Sequence, residues 1–163
     1  MGGDSAGTAG WDLVLRADHK VFRNGAYLFG FTDSFRMGQL LRWGFEPPEP
    51  PLNGELERFM ATTFIDAVRE RLKAGGWAKK SDEQERGGNF LVGTRGRLFE
   101  VCADYQVAES RNGYAAVGAG DQIAHGSLYA TPDKLPMDRL IVALSAAERF
   151  SAAVRRPFVV RWA

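Results

Sequence analysis

Two side chains of opposite charge are the first candidates for chemistry: Asp4 and Lys20, sixteen residues apart. A carboxylate and an ammonium are groups that carry charge or protons in a site. Asp4 lies in the glycine-rich opening Gly2-Gly3-Asp4-Ser5-Ala6-Gly7-Thr8-Ala9-Gly10. Gly2-Gly3-Asp4-Ser5 and Gly7-Thr8-Ala9-Gly10 read as turns, because glycine supplies unusual dihedrals and Asp or Ser bonds nearby backbone. Lys20 opens Lys20-Val21-Phe22, which with Leu13-Val14-Leu15 makes two short apolar runs of strand type. The soft ligands His19, His125 and Cys102 are far apart in sequence, so no metal site is expected. Cys102 falls in a strand with no histidine nearby and reads as a packing residue. Gly118-Ala119-Gly120-Asp121-Gln122-Ile123 brushes a dinucleotide fingerprint. Ile123 replaces its third glycine, and Asp121 places negative charge where a phosphate would sit, so nucleotide binding is not expected.

The elements that must position these residues belong to one domain. The chain has 163 residues, 45% of them hydrophobic, enough for a sizeable core. Lys and Arg number 21 against 20 Asp and Glu, giving a net charge of +1 with no long run of one sign. Nucleic acid and anionic membrane are therefore not expected as partners. The longest charged stretch, residues 79–86, is mixed in sign and reads as a solvated loop. A single cysteine excludes an internal disulfide and fits a reducing, cytoplasmic setting. The start lacks the basic and apolar segments of a signal peptide, and no apolar run approaches the ~20 residues of a membrane helix.

Residues 26–31 read as a buried strand after Asn24-Gly25, a strong hairpin signal. A helix over residues 35–43 follows, capped by Thr32, Asp33 or Ser34, and Pro47-Pro48-Glu49-Pro50-Pro51 ends that unit. The longest helix is predicted over residues 54–74, with Leu56, Phe59, Met60, Thr63, Phe64, Ala67, Val68 and Leu72 in one stripe, and Gly75-Gly76 stops it. Strands are predicted over 89–93, 98–102 and 114–118. A helix follows from Asp121, whose small residues Ala124, Gly126 and Ser127 suit close packing. Another helix runs from Asp138 to about Val154, and residues 158–162 form a last strand. Hairpins and helices in separate blocks argue an α+β fold.

Gly3-Asp4-Ser5-Ala6-Gly7-Thr8-Ala9-Gly10, Lys20 at its spacing, Gly118-Ala119-Gly120 before a helix, and the element order together resemble the proteasome β-subunit and HslV-type peptidases. These are N-terminal-nucleophile hydrolases. The resemblance covers almost the whole chain and implies a four-layer αββα sandwich of two antiparallel sheets covered by helices. It implies a nucleophilic threonine about a dozen residues before Met1, so residues 1–163 read as a single domain truncated at its start relative to the family. Lys20 is then the electrostatic group beside the threonine hydroxyl, and Asp4 its partner. The Asp33 backbone N–H matches the oxyanion donor, where the family has glycine. Thr8 matches the residue whose backbone pairs with an extended substrate, and Gly7, Asp18, Phe22, Phe31 and Phe35 match positions around the first specificity pocket. Ala119 replaces a serine, and Phe150 and Ala153 fall where the family has aspartate and serine. Thr8 itself fails as a terminal nucleophile, because Leu40 and Asn24 would then stand where the lysine and aspartate belong.

The resemblance implies a self-compartmentalising threonine peptidase that degrades unfolded polypeptides without a cofactor, inactive in this chain for want of the nucleophile. It also implies stacked rings of six or seven copies and an AAA+ ATPase unfoldase as partner. The departures favour an alternative, a non-catalytic subunit of the same fold that acts in ring assembly or partner binding.

Overall fold

A computed structural model describes residues 1–81 and 84–162. Its centre is a five-stranded antiparallel sheet running from Val107–Glu109 through Arg97–Val101, Phe90–Thr94 and Tyr27–Phe31 to Val21–Asn24. β4 (Val21–Asn24) and β5 (Tyr27–Phe31) form a hairpin across Asn24-Gly25, with Gly25 at φ +56°. β8 (Phe90–Thr94) and β9 (Arg97–Val101) form another, whose turn residues Arg95 and Gly96 both have positive φ. Two left-handed residues match the right-handed twist of the paired strands, which is why such turns close tight hairpins. β10 (Val107–Glu109) pairs with β9 at one edge.

All of β5 is buried, because both faces of the sheet are covered. Tyr27, Phe29 and Phe31 join the main core with Phe90, Val92 and Phe99. Over them lie α1 (Phe35–Gln39), α2 (Leu56–Phe59) and α3 (Ile65–Ala74). Leu28, Gly30, Leu91 and Gly93 face the other way, into a cleft, as the two-residue period of a strand requires. Across that cleft lie α4 (Asp121–Ala130), α5 (Pro136–Phe150), and the short pair β1 (Gly2–Gly3) and β11 (Val159–Val160), antiparallel to each other. The α+β class and the antiparallel sheets expected from the sequence are present, the second sheet in a reduced form.

Several local expectations are corrected. Residues 7–9 are strand rather than turn: β2 (Ala6–Ala9) pairs with β3 (Asp12–Leu15), and the reversal is at Gly10, φ +61°. Residues 114–118 are not a strand; they border the cleft, and a strand exists only where a ladder partner does. The mixed-charge segment is a hairpin of β6 (Lys79–Ser81) and β7 (Gln84–Arg86), with residues 82–83 outside the described residues. π-helical turns at Leu40–Gly44 and Met60–Phe64 extend α1 and join α2 to α3. Wider winding moves the buried stripe, so Ile65 is buried and Thr63 exposed. The last strand shrinks to Val159–Val160. α5 starts at Pro136, which suits a first helical turn because its missing N–H has no partner there anyway. It stops at Phe150, four residues earlier than expected. Gly126 has open space around it, whereas a Cβ on Gly120 would stand 2.8 Å from Ala147 Cβ. The close approach between the last two helices is therefore made at Gly120.

Tyr27 gives a testable consequence of this packing. Its hydroxyl donates to the Pro48 carbonyl at 2.6 Å. Burial, and then Glu49, push its pKa far above the ordinary tyrosine value. The unfolded chain ionises this phenol near pH 10 while the folded chain keeps it neutral. Its contribution is therefore complete below about pH 10 and falls as pH rises above that value. Tyr27→Phe is expected to cost about 1 kcal/mol at neutral pH and to flatten the alkaline loss, read by urea unfolding at neutral and alkaline pH.

Candidate active site

The cleft encloses about 1080 Å³. Asp4 and Lys20 meet on its wall, Lys20 Nζ donating to Asp4 Oδ1 at 2.7 Å, with side chains only 16% and 12% exposed. The chain brings them together by geometry near the start: Asp4 follows β1 and Lys20 precedes β4. The other oxygen, Asp4 Oδ2, accepts from the Ala6 amide at 2.8 Å and the Arg155 amide at 3.2 Å. Both carboxylate oxygens are therefore spoken for, and the ammonium is aimed by a fixed acceptor.

The Arg155 amide is held in turn. Ser5, 4% exposed, donates its amide to the Arg155 carbonyl at 2.9 Å and its hydroxyl to the Pro157 carbonyl at 2.6 Å. Glu148 accepts from the Arg156 amide and guanidinium at 2.9 and 2.8 Å. The early end of α5 frees residues 151–157 for this loop. The contacts of Asp4 and Ser5 with this loop join positions about 150 apart, so no local sequence pattern could announce them.

The Asp33 carboxylate is taken up by Asn89. Oδ2 accepts from the Asn89 amide at 2.7 Å and its Nδ2 at 2.8 Å. The backbone sits at φ +64°, the region glycine favours. Among the described residues the Asp33 amide meets no acceptor, and Asp33 lines the same cleft as Lys20. Removing the Asn89 clamp while keeping the strained backbone, as in Asp33→Ala, is expected to cost about 2 kcal/mol in urea unfolding.

Gly7, Thr8, Phe31 and Phe35 also line the cleft. Phe22 is placed apart, stacked on Phe29 at 5.3 Å in the main core. Asp18 binds Arg16 through both oxygens, at 2.6 and 2.7 Å, and Arg16 lies over the Phe35 ring at 4.2 Å. The Arg16 hydrogen bonds hold the Asp18 carboxyl below its usual range. Ala119 and Ala153 border the cleft, and Phe150 is exposed. Ser151 Oγ, not singled out in the sequence, donates to the Ala119 carbonyl at 3.4 Å.

Ser34 Oγ caps α1, accepting from the Arg36 amide at 3.1 Å. Burial, then Glu100 and Asp104, push the Cys102 thiol up, the opposite of an activated nucleophile. Among the described residues no group of three or more His, Cys, Asp or Glu is placed to hold a metal ion, and no helix is long and apolar enough to cross a membrane.

No family model and no curated protein matches the chain. Solved structures do. BPH from Thiobacillus denitrificans aligns at a TM-score of 0.77 with 20% identity, over 97% of this chain and 88% of that one, alone and in complex with Epoxomicin. HslV from Trypanosoma brucei aligns at a TM-score of 0.61 with 17% identity, over 97% and 88%. The Anbu (Gly-1) mutant from Hyphomicrobium sp. strain MC1 aligns at 0.65 with 15% identity, over 96% and 74%. The chain has the fold of these proteasome-type N-terminal-nucleophile hydrolase subunits.

Proposed function

We propose that this chain is the subunit of a threonine-type peptidase that acts on extended polypeptide, with Lys20, Asp4 and the Asp33 amide as its fixed catalytic groups. One observation carries the reading: a largely buried ammonium, locked at 2.7 Å to its carboxylate, on the wall of a cleft that Asp33 also lines. Preorganised charge and backbone donors of this kind stabilise an oxyanion. The hydroxyl comes from a terminal threonine on chain preceding Met1, which itself lines the cleft. Its oxygen attacks the peptide carbonyl and its α-amino group takes the proton. The Lys20 charge favours the alkoxide and the Asp33 amide receives the oxyanion. The amine product leaves with that proton, and water then hydrolyses the ester.

The likeness to HslV supports a homo-oligomeric ring, of six or seven copies and stacked in pairs, with an AAA+ unfoldase as partner. The second reading, a non-catalytic subunit that builds such a ring, is favoured by Ala119, Phe150 and Ala153, which bring neither hydroxyl nor carboxylate to the cleft.

The test is the intact mass and N-terminal residue of the protein purified from its own source, with hydrolysis of a blocked fluorogenic peptide. A terminal threonine and hydrolysis support the peptidase. A protein beginning at Met1 or Gly2 that hydrolyses nothing in its assembled form overturns it in favour of the ring-building subunit.

A further inference from the structure

We infer that Arg16 is a specificity-determining residue: stacked on Phe35 and clamped by Asp18, it closes the recess beside Lys20, so that the residue on the acyl side of the cleaved bond is glycine, alanine or serine. This rests on the peptidase reading of the same cleft.

The argument begins with one ring. Phe35 carries Arg16 over its face at 4.2 Å and has Lys20 Nζ 5.8 Å from its centre. Arg16 and Lys20 therefore share one aromatic neighbour, Phe35, on the wall of the cleft. The ring cannot withdraw. Phe31 packs edge-on against it at 5.5 Å, and Phe31 is itself pressed on Gly38, where an added Cβ would fall 2.2 Å from the ring. The opposite side is backbone. A Cβ on Gly7 would stand 3.1 Å from Arg16 Cγ and 3.4 Å from Phe35 Cε2. Gly7, the Arg16 stem and Phe35 are already in contact, and two hydrogen bonds to Asp18 hold the guanidinium there.

Charge decides what remains possible. Lys20 is neutralised by Asp4 and Arg16 by Asp18, so an acidic side chain meets no unpaired cation. A basic one likewise meets no unpaired anion, because both carboxylates are taken. A large apolar side chain must displace Arg16 from the ring, while a methyl or hydroxymethyl leaves the stack in place. Removing the Arg16 side chain uncovers an aromatic face, against which a large apolar residue packs.

The experiment uses the full-length protein from its own source and two blocked tripeptide amides, identical except for alanine or phenylalanine at the last position. Calorimetry gives the affinity ratio, and mass spectrometry of a digested peptide mixture gives the cleavage profile. The native protein is expected to bind the alanine peptide at least about tenfold more tightly, and Arg16→Ala to reverse the preference by at least about tenfold. Arg16→Leu keeps bulk over the ring and is expected to retain the alanine preference, which separates filling from charge and serves if the alanine variant folds poorly. Equal binding of both peptides, binding of neither, or an unchanged ratio in Arg16→Ala overturns the inference. Selective binding without hydrolysis overturns the peptidase reading and leaves Arg16 as the selector.

Discussion

Lys20→Ala is expected to lower kcat for peptide hydrolysis about 10²–10³-fold in the threonine-bearing protein, with KM nearly unchanged. The size follows from the surroundings. The ammonium is 16% exposed and has a fixed acceptor at 2.7 Å, so its charge acts in a medium less screening than water. Asp4 does not depend on Lys20 for its place, because the Ala6 and Arg155 amides hold Oδ2 at 2.8 and 3.2 Å. The variant should therefore keep its fold while losing the charge, with a stability loss of about 1–3 kcal/mol for the carboxylate left without its cation. Lys20→Arg is expected to fail similarly, since a planar fork cannot put its charge where a point ammonium stood. Asp4→Asn is milder in charge, but it removes the anion that orients Lys20. Parallel measurement of kcat and of circular dichroism checks the pair. Full activity in a folded Lys20→Ala protein would remove Lys20 from the mechanism.

What was legible in the sequence was local. Asn24-Gly25 announced the hairpin that sets β4 against β5, because a tight turn is short-range geometry, whereas the Asp4–Lys20 pair was an expectation of the family resemblance alone. The fate of residues 114–118 was not legible. Tyr114-Ala115-Ala116-Val117 has strand composition, yet composition cannot supply the neighbouring edge that a ladder needs. The π turns at Leu40–Gly44 and Met60–Phe64 were equally hidden, since an i→i+5 turn keeps the same apolar residue types as an α turn. Asp33 is the sharpest case. The residue that takes its carboxylate, Asn89, lies 56 positions away, beyond the reach of any local pattern. Arg16 is hidden for a related reason: its partner Asp18 stands two residues on, but the Phe35 face that gives the pair its place is nineteen residues away.

Phe29→Ala is expected to destabilise the protein by about 3–5 kcal/mol, the largest effect of any single core truncation proposed for it. Phe29 is completely buried. Its ring centre lies 5.3 Å from Phe22, 6.1 Å from Tyr27, 6.3 Å from both Phe64 and Phe90, and 6.4 Å from Phe45. These rings come from β4, β5, β8, the π turn at Met60–Phe64 and the extended residue after Gly44, so the cavity left behind has walls on separate elements that cannot all close together. Against a typical total of about 5–15 kcal/mol, the variant is marginal at best. The loss should also reach the cleft, because β5 leads directly into Asp33, whose strained backbone persists only while the strand below it is fixed. Urea unfolding of Phe29→Ala and Phe29→Leu measures the first effect, with Leu expected to cost about 1–2 kcal/mol because most of the volume is kept. Hydrogen exchange at residues 31–35 measures the second. A loss below about 2 kcal/mol for Phe29→Ala would mean that the helices over this face can settle onto the sheet. The rigidity assigned to the Asp33 turn would then need another source.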